Sequence, residues 1–175
     1  IYAEYFLFCA VMEIETHPHK PFVPPNLQIL IIGSFPGKDQ AQPGKWFYSA
    51  PRNQFWKIIE AVYRKELTTT IEKQELFSAL GIGMADIILK AKRKANNNLD
   101  QNLDIIAFND KALTKILRQH PNLKILFTSR FVEKHFKKLF PLIQNIECLP
   151  SPSPRFATMS LADKISRYRE LLPTI

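Results

Sequence analysis

The chain has 175 residues, 46% of them hydrophobic and 23% charged, which is ordinary for a soluble globular protein and predicts one domain over residues 1–175. No stretch is apolar for long enough to span a bilayer, so the sequence excludes a membrane-spanning protein and predicts a cytoplasmic one without a membrane partner. Twenty-four Lys and Arg against 16 acidic residues give a net charge of +8. This excess favours a polyanionic partner such as nucleic acid, and a generally basic proteome explains it equally well.

Residues 1–26 are predicted to be irregular or an added N-terminal segment. The apolar residues 1–11 lack a basic start, which argues against a signal peptide, and whether they belong to the native protein stays open. His17 and His19 follow in a proline-rich stretch with no third ligand nearby, so we interpret them as a solvated loop and predict no metal site. The two cysteines lie far apart and are interpreted as free thiols in a reducing compartment.

The first clear strand covers residues 28–32, a continuous apolar run typical of a strand buried on both faces. It ends abruptly at GSFPG, residues 33–37, and a polar loop then leads to the aromatic cluster of residues 46–48. A helix over residues 52–65 follows, with its apolar residues at helical spacing. Because parallel sheets place their ligand sites at the carboxyl ends of strands, we expect the site here.

The middle of the chain contains one strongly signalled helix. Thr69 and Glu72 predict a capping box, and Gly81 predicts the end of that helix. Residues 81–86 are predicted to be a turn. The basic run at residues 90–94 is interpreted as an exposed loop that is either solvated or in contact with phosphate.

The last third alternates strands and helices. Asn109 is predicted to cap a helix that ends at residue 119. Further elements are predicted as strands over residues 123–128 and 146–149 and helices over residues 130–140 and 160–172. Strands separated by helices favour a parallel sheet covered on both faces. The predicted fold class is therefore α/β, a three-layer α/β/α sandwich around a central, mostly parallel sheet.

Two loops, residues 33–51 and 150–156, follow predicted strands and are expected to meet at one edge of the sheet. Phe35 and the aromatic cluster offer flat faces on which a nucleic-acid base could stack. Alternatively, these rings plug the core beneath the loop. The first loop is not a P-loop, because no Gly-Lys-Ser/Thr follows at the required spacing.

Three motifs in order, the strand ending in GSFPG, then FYSAPRNQFWKII, then LPSPSP, resemble the uracil-DNA glycosylase superfamily over roughly residues 27–172. The resemblance is closest to the hypoxanthine (deoxyinosine) DNA glycosylase branch. It implies four parallel strands, and extrusion of a deaminated base, hypoxanthine, uracil or xanthine, from DNA. It also implies hydrolysis of the N-glycosidic bond without a metal or other cofactor.

The resemblance assigns roles to particular residues. Asn53 is implied as the catalytic residue that positions water, since Phe35 stands where mismatch-specific uracil glycosylases carry an Asn. Tyr48 matches the aromatic residue that stacks on the extruded base, and Thr128 stands where relatives carry an Asn that reads the base edge. The implied base-binding set is Gly33, Ser34, Phe35, Tyr48 and Thr128. Alternatively, Asn53 only starts a helix, and the chain is a catalytically silent nucleic-acid-binding relative.

The second motif is implied to contact DNA. Ser151, Pro152 and Ser153 would press on the backbone, with Ser151 in the place of a His or Asn of other branches. Arg155 or Phe156 would fill the space left by the extruded base, unless both are plain surface residues. The implied partner is lesion-containing duplex DNA, bound by a monomer.

Two alternative interpretations do not depend on the resemblance to glycosylases. Asp86 is a weaker candidate, as a carboxylate near the site or simply a turn-capping residue. A nucleotide- or small-molecule-binding α/β domain is a further alternative for the whole chain.

Overall fold

The computed structural model describes residues 13–38, 44–95 and 97–175 of the chain. Its strands are β1 (Glu15–Thr16), β2 (Ile29–Gly33), β3 (Ile82–Asp86), β4 (Ile88–Arg93), β5 (Leu103–Phe108), β6 (Lys124–Phe127) and β7 (Ile146–Cys148). Its helices are α1 (Phe55–Tyr63), α2 (Thr70–Leu80), α3 (Asp110–Gln119), α4 (Arg130–Leu139) and α5 (Leu161–Leu171), with a short 3₁₀ helix at Asp100–Asn102.

The central sheet has the strand order β3-β2-β6-β7, and each neighbouring pair is parallel. All five residues of β2 are buried, because helices cover both faces. Ile29 and Ile31 face a core shared with α1, α2 and α5, whereas Leu30 and Ile32 face a core shared with α3 and α4. The predicted α/β/α sandwich with a four-stranded parallel sheet is confirmed. Among the described residues no helix is both long and apolar enough to cross a bilayer.

A second sheet, of strand order β1-β4-β5, is antiparallel and was not predicted. The loop interpretation of residues 90–94 is wrong for residues 90–93, which belong to β4, and the turn interpretation of residues 81–86 is wrong because residues 82–86 form β3. Gly83 explains the second error. A Cβ there would lie 2.8 Å from the carbonyl oxygen of Phe22, so this strand needs a glycine for a close backbone approach.

Helix α2 is bounded as predicted. The Thr69 side chain accepts from the backbone N–H of Glu72, the Glu72 carboxylate accepts from Thr69, and Gly81 ends the helix at φ 66°. The Glu72 carboxylate also accepts from the backbone N–H and the hydroxyl of Thr68. These bonds, led by the backbone N–H of Thr69, lower the pKa of Glu72 from its ordinary 4.5 to about 2.

This carboxylate makes the stability of the protein pH-dependent in a predictable direction. A depressed pKa stabilises the folded state above pH 4.5, and the contribution is lost as the pH falls from 4.5 towards about 2. We therefore expect Glu72→Gln to reduce the drop in the free energy of unfolding between pH 5 and pH 3, measured by urea denaturation. Glu75→Gln, at an exposed position of the same helix, is the matched control. An unchanged drop in Glu72→Gln would contradict the assigned hydrogen bonds.

Candidate active site

The register of the central sheet places a polar row at its carboxyl edge. Gly33 is paired with Asp86, and Thr128 donates its backbone N–H to Ile32 at 3.2 Å. Each of Gly33, Asp86 and Thr128 lies two positions after a residue that belongs to the core covered by α1 and α5. Since side chains alternate along a strand, all three belong to that same face.

Tyr48 lies over this row. Its hydroxyl is hydrogen-bonded to Thr128 Oγ1 at 3.0 Å, and its ring stacks on Phe55 with the centroids 4.3 Å apart. A Cβ on Gly33 would collide with both the Tyr48 hydroxyl and the Asp86 carboxylate. Burial, with the charge of Asp86, raises the pKa of Tyr48 well above its ordinary range, so the phenol stays neutral and can donate. Phe55 occupies one ring face, and a stacked base would use the other.

The remaining aromatic residues divide between the two roles considered for them. Trp46 and Phe47 are buried, Trp46 stacks on Trp56, and the Trp56 indole N–H donates to the Phe47 carbonyl at 2.7 Å. Both are therefore core residues beneath the loop. Phe35 is half-buried and has the Arg93 guanidinium 5.5 Å from its ring.

Asn53 lies at the turn that leads into α1. Its Oδ1 accepts the backbone N–H of Phe55 at 2.9 Å, and its own N–H donates to Ala50. The helix-start role considered for Asn53 is thus present. The Asn53 side chain can still form other hydrogen bonds, because an amide offers two acceptor and two donor positions and the bond to Phe55 uses one of them. Asn53 is half-buried and retains the capacity to hold a water molecule.

The second predicted site loop meets the start of α1, which directly follows the first loop, although about a hundred residues separate them in sequence. The backbone N–H of Gln54 donates to the Pro152 carbonyl at 2.9 Å. The Lys164 ammonium donates to Gln54 Oε1 at 2.9 Å and to the Ser153 carbonyl at 3.2 Å. Lys164 is 1% exposed, and burial lowers its pKa. This lysine therefore fastens the second loop to the start of α1.

Exposure of the side chains increases along the second loop. Pro152 is buried, Ser151 and Ser153 are half-buried, and Arg155 and Phe156 are exposed. Ser151 Oγ accepts the backbone N–H of Ser153, and Ser153 Oγ accepts that of Arg155, both at 3.3 Å. The serine hydroxyls thus shape the loop, and its tip exposes the two residues considered as a wedge.

The interpretation of His17 as part of a solvated loop is wrong. His17 is 8% exposed, and its Nε2 lies 2.8 Å from Asp86 Oδ2. His17 Nδ1 accepts the backbone N–H of His19, so the ring proton is on Nε2 and is donated to Asp86. The proline-rich stretch runs beneath the first loop, where this bond replaces the lost hydration. Among the described residues no group of three or more His, Cys, Asp or Glu could hold a metal ion.

The second sheet supports the GSFPG turn from behind. Arg93 donates to the Pro36 carbonyl at 2.6 Å and to the Glu15 carboxylate at 2.8 Å. The backbone N–H of Ile88, in β4, donates to the Ser34 carbonyl at 3.1 Å. Ser34 and Pro36 are therefore held in place by β4. Burial raises the pKa of Asp100, an effect that the nearby Ser34 side chain opposes. Residues 39–43 of the same loop lie outside the described residues.

Comparison with known proteins decides the family of this chain. A model of the uracil DNA glycosylase superfamily matches residues 20–172. The chain belongs to this superfamily. That match includes the polar row, both loops and strands β4 and β5 of the second sheet, whereas β1 lies before it.

Individual relatives of this superfamily member agree with the assignment. It is 30% identical over 109 residues to a protein of Methanosarcina barkeri described as hypoxanthine DNA glycosylase, and the match covers 61% of this chain. It spans 65% of the length of that relative. A solution NMR structure from Methanosarcina acetivorans, provisionally assigned as a uracil DNA glycosylase, superposes with a TM-score of 0.70 at 20% identity. The superposition covers 91% of this chain and 99% of that one, and it shows the shared fold.

Sequence reasoning missed three residues of this superfamily member's site. Asn109, predicted as a helix cap, makes no side-chain cap; it is buried and donates its amide to the Asp86 carbonyl at 3.1 Å. His17 and Arg93 gave no signal, because their partners lie 69 and 78 positions away. The strand assignment for residues 82–86 would have placed Asp86 at the active edge.

Proposed function

We propose that this protein is a monofunctional DNA glycosylase that hydrolyses the N-glycosidic bond of a deaminated base, with hypoxanthine as the first candidate and uracil and xanthine next. The hydrogen bond between Gln54 and Pro152 carries the proposal, since it joins the loop of Asn53 to the Ser-Pro loop. One edge then holds a base-stacking ring, an amide that can orient water, and an exposed wedge. The relative from Methanosarcina barkeri is described as a hypoxanthine DNA glycosylase, which supports hypoxanthine as the first candidate base.

The chemistry needs little more than positioning. Cleavage of an N-glycosidic bond passes through an oxocarbenium-like state, so the site must stabilise charge on the departing base and hold one water near C1′. Asn53 orients that water. Tyr48, kept neutral by burial, and Thr128 offer hydroxyl groups to the base edge. Backbone N–H groups of the turn at Gly33 and Ser34 face the developing negative charge, and no metal or cofactor is required.

DNA contact follows from charge and shape. The net charge of +8 favours a phosphate backbone, and three prolines stiffen the loop that would press on it. Arg155 or Phe156 would enter the duplex as the base leaves. The protein is proposed to act as a cytoplasmic monomer on duplex DNA, extruding the base in the first step of base excision repair.

An excision assay tests the function directly. Protein in excess is incubated with duplexes that contain a single hypoxanthine, uracil or xanthine, and abasic sites are then cleaved with alkali. We expect strand breaks only after alkali, because the proposed enzyme is monofunctional, and duplex affinity that falls steeply between 50 and 200 mM salt, by about a thousandfold if six phosphates are contacted. An undamaged duplex is the control. Absence of breaks with all three bases would refute the proposal.

A catalytically silent DNA-binding relative is the second candidate. Two observations favour it: Phe35 can neither orient nor activate water, and Asn53 Oδ1 is already bonded to Phe55. Such a protein would bind lesion or abasic duplexes in the same salt-dependent way without releasing a base. Binding without product at protein excess would select this candidate.

A further inference from the structure

The carboxylate of Asp86 occupies an exceptional place in the fold. It ends β3 at the active edge, paired in register with Gly33, the first residue of the GSFPG turn. Its side chain is 6% exposed, and the atom that a Cβ on Gly33 would strike is its Oδ1. A buried carboxylate is costly unless it is paired or hydrogen-bonded, so the partners of its two oxygens indicate its role.

The two carboxylate oxygens differ. Oδ2 accepts the Nε2 proton of His17 at 2.8 Å, and the ring tautomer is fixed by the backbone N–H of His19 on Nδ1. The hydrogen bond from His17 fixes the rotamer of the carboxylate. Oδ1 has no hydrogen-bond partner among the described residues, and it is not one of the fully enclosed unpaired oxygens. This oxygen is therefore oriented and available to a water molecule.

We infer that Asp86 is a second catalytic residue, which accepts a proton from the attacking water and supplies from β3 the polar function that Phe35 lacks. The inference rests on the proposed glycosylase function. As the C1′–N bond breaks, its electron pair leaves with the base. The water oxygen bonds to C1′, and one water proton moves to Asp86 Oδ1. The departing base then takes that proton from Asp86, directly or through a water molecule, which restores the carboxylate.

The surroundings of Asp86 favour this role over a purely structural one. A structural carboxylate would be satisfied at both oxygens, whereas Oδ1 faces Gly33 and the base site. Three titratable groups face it: His17 as donor, Tyr48 across Gly33, and Asp100 beside Ser34. The negative charge of Asp86 also stabilises the oxocarbenium-like state, and it does so more strongly in a site closed to water.

The test uses Asp86→Asn in the full chain with a hypoxanthine duplex under single-turnover conditions. Asparagine keeps an oxygen that can accept the His17 proton, so the fold is retained while the base is lost. We expect the rate to fall about a hundredfold, with thermal unfolding and affinity for an abasic duplex unchanged. Asp104→Asn, an exposed carboxyl on β5, is the matched control and keeps the wild-type rate.

The pH profile separates catalysis from packing. We expect the pH dependence of the wild-type rate to be lost in Asp86→Asn and to persist in Asp100→Asn. A rate within twofold of wild type in Asp86→Asn, or a wild-type rate that does not change with pH, overturns the inference, and the second result needs no variant. If the wild type excises the base, either of these results leaves the proposed glycosylase function standing. If the wild type does not excise the base, the proposed function and the inference about Asp86 are both overturned.

Discussion

Replacing Asn53 with alanine is expected to reduce single-turnover excision about a thousandfold while the chain stays folded. The variant removes the amide that would orient the attacking water, and no other side chain of the turn replaces it. The lost bond to Phe55 is a helix-start interaction, worth about 1 kcal/mol. Helix α1 persists, because Phe55 and three further residues, Trp56, Ile58 and Ile59, are buried in the core.

The matched control isolates that local cost. Thr69→Ala removes a comparable side-chain bond from the start of α2, which lies away from the polar row. Both variants should lose about 1 kcal/mol in urea denaturation, yet only Asn53→Ala should lose activity. Equal activity in the two variants would mean that Asn53 merely starts a helix.

Gly33→Ala is expected to disrupt the site and to lower stability together. Its Cβ would collide with the Tyr48 hydroxyl, which is bonded to Thr128 and belongs to a ring stacked on Phe55, and with the buried Asp86 carboxylate, so neither group can simply turn away. Overpacking of this kind costs about 3 kcal/mol at the upper end of its usual range. Displacing the ring of Tyr48 by about 1 Å would reduce excision a further hundredfold or so. Urea denaturation and single-turnover rates measure the two effects separately.

Gly37→Ala, in the same turn, is the matched control. There the nearest atom to a new Cβ is the Asn98 amide nitrogen at 3.0 Å, the movable end of an exposed side chain. We expect its stability to stay within about 1 kcal/mol of wild type, because that amide can shift by a few tenths of an ångström. If Gly33→Ala and Gly37→Ala behaved alike, the arrangement of Tyr48 and Asp86 over Gly33 would be wrong.

The parts of this fold that follow from local rules could be predicted. Helix α2 is bounded by a capping box and a left-handed glycine, and both signals lie between Thr69 and Gly81 in the sequence. Strand β2 was predictable because an unbroken apolar run has few other uses. The parallel sheet then followed from the alternation of strands and helices.

The parts that depend on distant partners could not be predicted. Strands β4 and β5 carry mixed polar and apolar residues, and only their mutual pairing makes them strands. The sequence around His17 favours a solvated residue, because its partner Asp86 comes close only in the folded chain. For the site, the motifs located Tyr48 and Asn53 in neighbouring turns, but no local pattern indicated the bond between Tyr48 and Thr128.

The buried ammonium of Lys164 has a consequence for the life of the molecule on the ribosome. The contacts that complete the site join Tyr48 to Thr128, 80 positions apart, and Gln54 to Lys164, 110 positions apart. Lys164 belongs to α5, which follows every other helix and strand that the structure describes. A growing chain therefore cannot close the candidate site until α5 has emerged from the ribosome, so an incomplete chain that stops before α5 lacks the finished site.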